Sequence, residues 1–330
     1  MTVRSLRSKL LAWYGANRRD LPWRRTRDPY AIWVSEIMLQ QTRAEAVIPY
    51  YERFLARFPT IAALAGAVEP DVLAVWSGLG YYSRARNLHQ AAREMGGVFP
   101  ADYDAIRALP GVGDYTAAAV ASIAFGLPHA ALDGNVLRVI ARLSNDASDI
   151  GAPATRARFR ALAQHWLDPR RAGQFNEAMM ELGATVCQPR APRCGACPLA
   201  AMCEAHRAGT AAQLPVKLRK VQPVKLAMDV AVIMQRGCLL LWQRTGATRM
   251  AGFWELPAPD QLPPGATLRI AGTFRHTIMH RQYQVTVHIG ELAAGSRLTK
   301  PLRWGRLAEV PNLPVSTIAR KALRMLGGKN

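Results

Sequence analysis

Leu109-Pro110-Gly111-Val112-Gly113 stands between two helix-forming segments, Tyr103 to Ala108 and Tyr115 to Phe125. Pro110 stops the first helix, and the two glycines let the backbone turn tightly and aim its N–H groups outward at the start of the second. Such a loop can hold a phosphate without any side chain. An ordinary helix–turn–helix connection is the plainer reading. Working outward, residues 1–207 read as helix after helix, with apolar positions recurring at three and four, as in Ile32, Trp33, Ile37 and Val34, Met38. Asp28-Pro29, Phe58-Pro59, Gly96-Gly97, Phe99-Pro100, Asp133-Gly134 and Gly151-Ala152-Pro153 punctuate them. From about 208 to 227, Leu214-Pro215, Lys217, Arg219-Lys220 and Pro223 read as a linker. Beyond it come short β-type runs, Met228 to Met234, Cys238 to Gln243 and Gln282 to Ile289. The plan is an all-α module, a linker and a smaller α+β module.

The 330 residues carry 43 Lys and Arg against 23 Asp and Glu, a net charge of +20. A surplus of this size suggests a polyanionic partner, nucleic acid ahead of a membrane surface. Residues 208–330 hold only the carboxylates Asp229, Glu255, Asp260, Glu291 and Glu309, which limits the acid–base chemistry of that part. No uncharged apolar run is long enough to span a bilayer. Arg4, Arg7, Lys9, Arg18 and Arg19 interrupt the N-terminus, so no secretory leader is read there. A monomer in a bacterial cytoplasm, associated with the nucleoid through DNA and with no membrane partner, is expected.

Cys187, Cys194, Cys197 and Cys203 form the frame C-x6-C-x2-C-x5-C, and Cys238 is the one further cysteine. Thiols packed this tightly point to one coordinated object: an iron–sulfur cluster, a structural zinc, or two disulfides. Disulfides are disfavoured without a secretory leader. Zinc sites usually place their ligands in two C-x2-4-C knuckles, and only Cys194 and Cys197 make one. Spacing alone ranks a cluster above zinc.

Leu132-Asp133-Gly134-Asn135-Val136 leads into a helix carrying Arg138. Taken alone, Asp133 reads as an N-cap. The order of hairpin, aspartate and four cysteines resembles the endonuclease III and MutY branch of DNA glycosylases. In that branch the loop is a helix-hairpin-helix, and Gly111, Val112 and Gly113 would grip the DNA backbone. Asp28-Pro29-Tyr30, Glu36 to Thr42 and Gly78 to Asn87 look like the MutY-type adenine DNA glycosylases, and the resemblance runs through nearly all of residues 18–207. It implies a multi-domain chain: an all-α glycosylase module over 1–207, with the hairpin at about 103–125 and an iron–sulfur subdomain at 187–203. A linker over 208–227 and a Nudix-like α+β domain over 228–330 would follow. It also implies one [4Fe–4S] cluster on the four cysteines, and a basic phosphate-facing surface with Arg190 and Arg193. The bifunctional lyases of the branch carry a nucleophilic lysine where Tyr115 stands, and Lys9 is the only lysine in residues 1–216. A Schiff base needs an amine, so a monofunctional hydrolase is expected.

Cutting an N-glycosidic bond needs a proton on the departing base and stabilisation of an oxocarbenium-like sugar. Glu36, among Trp33, Ile37 and Leu39, sits in surroundings that raise a carboxyl pKa. It is the candidate acid, protonating adenine at N7 and later activating water. As the resemblance implies, ionised Asp133 stabilises the sugar cation or attacks C1′ transiently, with Asn135 and Tyr115 orienting the groups. By position in the family pattern, Arg19, Trp23, Arg24, Leu39 and Glu177 form the adenine pocket. Gln41 and Tyr81 would fill or distort the vacated duplex site. The plainer readings are helix-face carboxylates for Glu36 and Glu177, and core packing for Trp23 and Tyr81.

Val230 to Gln243 followed by Arg249 to Pro257 is similar to the opening strands of a Nudix fold. Nudix hydrolases need a glutamate-bearing helix to hold metal. Residues 258–275 contain one carboxylate, Asp260, and no such helix is expected. The equivalent domain of MutY-type proteins recognises 8-oxoguanine opposite the adenine. Its damage-reading loop commonly shows Phe-Ser-His, aligned here with Ile278-Met279-His280. Met279 cannot make a serine's hydrogen bonds, so lesion discrimination is expected to be weaker, or carried by His280, neighbours or backbone. The expected partner is duplex DNA holding A opposite 8-oxoguanine or G. A thymine mismatch glycosylase and a non-catalytic iron–sulfur DNA-binding protein are the alternatives; the C-terminal module disfavours the first, and the second would make Glu36 and Asp133 dispensable.

Overall fold

The computed structural model describes residues 2–218, 222–245 and 252–327. Arg219 and Lys220 of the expected linker, and Arg249-Met250-Ala251 at the head of the Nudix-like signature, lie outside the described residues. The chain divides into two compact units. One combines Met1–Ala65 with Gln90–Lys220, the other Gly66–His89 with Val221–Asn330.

The first unit is all-α. It contains α1 (Val3–Asn17), α2 (Pro29–Leu39), α3 (Ala44–Arg57) and α4 (Ile61–Ala65). After α5 (Glu69–Trp76) and the start of α6 (Ser83–Glu94), which belong to the second unit, it continues with α7 (Tyr103–Ala108), α8 (Asp114–Phe125), α9 (Gly134–Leu143), α10 (Pro153–Trp166), α11 (Ala172–Thr185) and α12 (Glu204–Arg207). Asp28 starts α2 by accepting from the Tyr30 N–H, with Pro29 in the first turn where its missing donor costs nothing. Every residue from Tyr30 to Met38 is buried, so α2 runs through the interior against α3 and α8. Glu36 is the one carboxylate in that helix. Leu6 and Leu10 of α1, Ile140 of α9, Phe159 of α10 and Phe175 and Leu182 of α11 share a core, onto which the cysteine-bearing segment closes through Leu199, Cys203 and Ala205.

Between α7 and α8, Gly111 takes φ +76°, a left-handed conformation that a side chain would strain, and buried Val112 pins the loop from beneath. Gly111 and Gly113 are exposed, so their backbone faces outward. Asp114, first residue of α8, pairs with Arg107 and, at 2.8 Å, with Arg160.

The second unit holds a mixed sheet of β1 (Val224–Gln235), β2 (Cys238–Gln243), β3 (Trp254–Glu255), β4 (Thr267–Ile278), β5 (Arg281–Glu291) and β6 (Leu302–Arg306), in the order β3-β2-β1-β5-β4 with β6 also on β2. β1 and β5 are parallel and the other pairs antiparallel. α13 (Thr317–Leu326), capped by Ser316, packs Ile318, Ala319 and Ala322 on one face against Val230, Val232, Val285 and Val287; Ala231, Ile233 and Leu240 face the other way. β1 starts at Val224, earlier than its alternation suggests, because Val224 to Ala227 pair with Arg281 to Gln284. β4 and β6 were not expected from sequence. β4 is half-exposed along its length and broken by a bulge between Ile270 and Gly272, so it lacks a clean two-residue period. Residues 258–275 form a short 3-10 turn and then β4, with no α-helix to carry metal-holding glutamates.

Candidate active site

A cleft of about 990 Å³ opens in the first unit, where the middle of α2, the start of α8, the start of α9 and the middle of α11 converge. Arg19, Trp23, Arg24, Glu36, Leu39, Gln41, Tyr115, Asp133, Asn135 and Glu177 all line it. Tyr81 and Ile278-Met279-His280 belong to the second unit and do not.

Glu36 is buried, and the Tyr115 hydroxyl donates to its Oε2 at 2.7 Å. Burial raises its pKa from 4.5 to about 7; the charges of Asp133 and Glu177 add to this, while the Tyr115 bond and Arg24 oppose it. Burial and the neighbouring Glu36 push Tyr115 well above its usual range, which keeps its hydroxyl a donor. The same hydroxyl lies 3.2 Å from Met180 Sδ on α11.

Asp133 is the N-cap of α9, accepting from the Val136 N–H at 2.7 Å through Oδ1, and from Asn135 Nδ2 at 2.7 Å through Oδ2. Burial raises its pKa, and both donors and Arg138 oppose the rise. N-cap and cleft residue are thus the same residue. Arg138 donates to Asn135 Oδ1 (2.8 Å), Gly183 O (2.8 Å) and Cys187 O (2.7 Å), so the carboxamide that holds Asp133 is itself held from α11 and the first cysteine.

α9 and α11 approach closely at one point. A Cβ on Gly183 would meet the Asn135 Cβ at 2.6 Å. Gly183→Ala would gain about 1 kcal/mol in helix propensity, but overpacking against a backbone-fixed neighbour costs roughly 1–3 kcal/mol. The variant is expected to melt below the parent and, because Asn135 must move, to react more slowly. Thermal unfolding with single-turnover rates checks both.

Glu181 is the site residue that sequence reading missed. Fully buried, it accepts from the Arg19 backbone N–H (3.0 Å), Arg19 Nε (2.9 Å) and Nη2 (2.9 Å), and Arg24 Nη2 (2.8 Å). Burial disfavours its charge, but hydrogen bonds from Arg19 and Arg24 outweigh that and lower its pKa to about 2. Both expected pocket arginines are therefore anchored on it. Glu177, one turn earlier, is buried and its pKa is raised by that burial, with Arg24 and Arg27 opposing. The signal was available: Glu177 and Glu181 are four apart on one helix face. Trp23 packs edge-on to Tyr51 with ring centroids 5.5 Å apart.

Left-handed backbone collects at other expected site residues. Gln41 (φ +59°), Tyr81 (+49°) and Met279 (+56°) are three of the five described non-glycine residues with positive φ, the others being Asn145 and Arg236. Such conformations cost on the order of 1–3 kcal/mol and persist where surroundings impose them. Met279 and His280 form the two-residue turn between β4 and β5, with Ile278 and Met279 exposed.

None of the five cysteines is in a disulfide. Cys187, Cys194, Cys197 and Cys203 border one cavity, together with Val139, Arg142, Leu182 and Val186. Among the described residues, no three His, Cys, Asp or Glu side chains are grouped so as to hold a single metal ion, and no helix is long and apolar enough to cross a membrane.

A family model for HhH-GPD superfamily base excision DNA repair proteins matches residues 34–165, and one for NUDIX domains matches residues 229–325. The class these matches define is that of helix-hairpin-helix base excision repair proteins. Within it, the chain is 34% identical to the adenine DNA glycosylase of Homo sapiens, over 99% of this chain and 75% of that protein. It is 46% identical to the adenine DNA glycosylase of Mycobacterium tuberculosis, over 58% of this chain and 65% of that protein. The solved structure of a thermostable thymine-DNA glycosylase aligns with a TM-score of 0.56 at 31% identity, covering 62% of this chain and 97% of that one. The chain belongs to the adenine DNA glycosylase family.

Proposed function

We propose that the chain is a monofunctional DNA glycosylase that hydrolyses the N-glycosidic bond of adenine mispaired with 8-oxoguanine or guanine in duplex DNA, a step of base excision repair. One observation carries this reading: two buried carboxylates, Glu36 and Asp133, line one cleft and are held there by different partners. Glu36, with a pKa of about 7, keeps a proton to give near neutral pH. Burial raises the Asp133 pKa, but its two oxygens accept N–H donors and Arg138 supports it electrostatically, which suits it to carry the negative charge of the pair. Glu36 gives its proton to the departing adenine, and Asp133 faces the positive charge that builds on the sugar as the bond breaks. Water then attacks C1′ and returns a proton to Glu36. Tyr115 and Asn135 hold the two carboxyls in place. Glu177 and the Arg19–Glu181–Arg24 set suit the walls of an adenine pocket, and Gln41 and Tyr81 act on the vacated stack. Lys9, the only lysine in residues 1–216, lies on α1 and does not line the cleft, so lysine-based strand cleavage has no nucleophile there.

The cysteines suit a [4Fe–4S] cluster better than a single ion. They surround a cavity rather than converge on a point, and the cavity is otherwise mainly apolar. Arg142, 1% exposed, directs Nη1 at Cys187 Sγ (3.3 Å) and donates to the backbone carbonyls of Leu214, Gln188 and Pro189. A buried cation needs an opposing charge, and thiolate ligands supply it. Cys187, Cys194, Cys197 and Cys203 would hold the cluster, whose contribution is to tie four chain positions together beside the basic Arg190 and Arg193.

Single-turnover base release from duplexes bearing A opposite 8-oxoguanine, G, C or T tests the function. Release is expected from the first two, and release confined to mispaired thymine would end the adenine reading. In the same assay Met279→Ser is expected to raise the preference for 8-oxoguanine over G. An unchanged ratio would move lesion discrimination away from the β4–β5 turn.

A further inference from the structure

The loop that carries Tyr81 is gripped at both ends by residues of the C-terminal module. Gly78 (φ +109°), Gly80 (+73°) and Tyr81 (+49°) are all left-handed, a run with little intrinsic preference and a penalty of about 1–2 kcal/mol at Tyr81 alone. Part of the hold is local: Trp76 Nε1 donates to Gly80 O at 3.2 Å, Arg84 Nη2 donates to the same oxygen at 3.2 Å, and the Arg84 guanidinium lies over the Tyr81 ring at 5.5 Å. The rest comes from residues far along the chain. Before the loop, Ser77 donates to Val315 O (3.3 Å) and accepts from Arg320 Nη2 (2.9 Å), which also reaches Leu313 O (3.3 Å). After it, the Tyr82 ring lies 4.1 Å from the fully buried Phe253 ring. Between these two buried grips Tyr81 stands exposed.

A plain packing contact would explain burial of Ser77 and Tyr82, but not an exposed aromatic kept in a costly conformation between them. We propose that Arg320 and Phe253 are positioning residues that pre-set Tyr81 for its part in the duplex. Ordering the loop in advance removes that cost from DNA binding. The inference rests on the reading above that Tyr81 acts beside the extruded adenine, and it makes the C-terminal module a partner in base extrusion as well as in reading the opposite strand.

The test uses the full chain with Arg320→Met, Arg320→Lys, Phe253→Leu and Tyr81→Ala. Amide hydrogen exchange over residues 77–84 is expected to rise about tenfold in Arg320→Met and in Phe253→Leu, with α2 and α11 unchanged, since a grip lost at one place opens only its own segment. Single-turnover adenine release is expected to fall about tenfold in Arg320→Met and to recover in part in Arg320→Lys. In a Tyr81→Ala background, Arg320→Met should add less than about twofold, because both act through one residue. Unchanged exchange at 77–84, or effects of the two substitutions that multiply, would overturn the proposal. A parent chain that releases adenine from no duplex would end the glycosylase reading instead, and the exchange result would still decide whether the module holds the loop.

Discussion

Replacing Glu36 by glutamine is expected to lower single-turnover adenine release about a thousandfold at pH 7, the scale of losing a general acid and base together, while binding to the same duplex is kept. Glutamine preserves the shape and can still accept from the Tyr115 hydroxyl 2.7 Å away, so the loss isolates the proton. The parent rate should fall about tenfold per unit above pH 7, as Glu36 gives up the proton it must donate. Stability should move the other way. An unfolded Glu36 ionises at 4.5 and the folded one at about 7, so between those values the native state holds a proton that the unfolded chain does not. Stability therefore falls as pH rises through that interval, and the full penalty, on the order of 3 kcal/mol, is present above it. Glu36→Gln should melt several degrees above the parent at pH 8 and converge with it near pH 4.5. A variant that is inactive but no more stable at pH 8 would mean that Glu36 is not held protonated by the fold. A variant that keeps its activity would remove it from the chemistry.

What the sequence made legible is what short-range physics fixes. A proline and two glycines mark the hairpin because backbone freedom is a property of those residues alone. Asp133 stands directly before an apolar helix and caps it, and Glu36 is legible because a lone carboxylate in a run as apolar as Tyr30 to Leu39 must be buried. Residues whose partners lie far along the chain were not legible. Glu181 gains its meaning from Arg19 and Arg24, some 160 positions away, and Gly183 from the Asn135 Cβ that its missing side chain admits. Gly66–His89 reads as one more stretch of the helical module, yet it is compact with the C-terminal residues, because Ser77 and Tyr82 find partners in Arg320 and Phe253. β4 escaped for a different reason: a half-exposed, bulged strand has no strict alternation to read.

Arg142 is the clearest case of a signal present but unread, a second arginine four residues after Arg138 on the largely apolar α9, and it carries a large expected effect. Arg142 donates to the carbonyls of Leu214 (3.0 Å), Gln188 (2.8 Å) and Pro189 (3.0 Å) and to Cys187 Sγ (3.3 Å). Its own carbonyl lies 3.3 Å from Cys203 Sγ. One residue thus meets the first and last cysteines of the frame. Arg142→Met removes the side-chain donors, leaving the buried Leu214 carbonyl unsatisfied at about 1–3 kcal/mol and the thiolate ligands of the proposed cluster without a buried counter-charge. The chain is expected to melt far below the parent, and to lose most of its iron and visible absorbance when purified. Arg142→Lys, which restores charge but cannot span four acceptors with one ammonium, should fall between the two. Iron and zinc content measured beside the absorbance spectrum separates the possible outcomes. Zinc in place of iron in the parent would refute the cluster. Full iron retention in Arg142→Met would show that the thiolates need no cation beside them, and that the arginine serves the loop backbone alone.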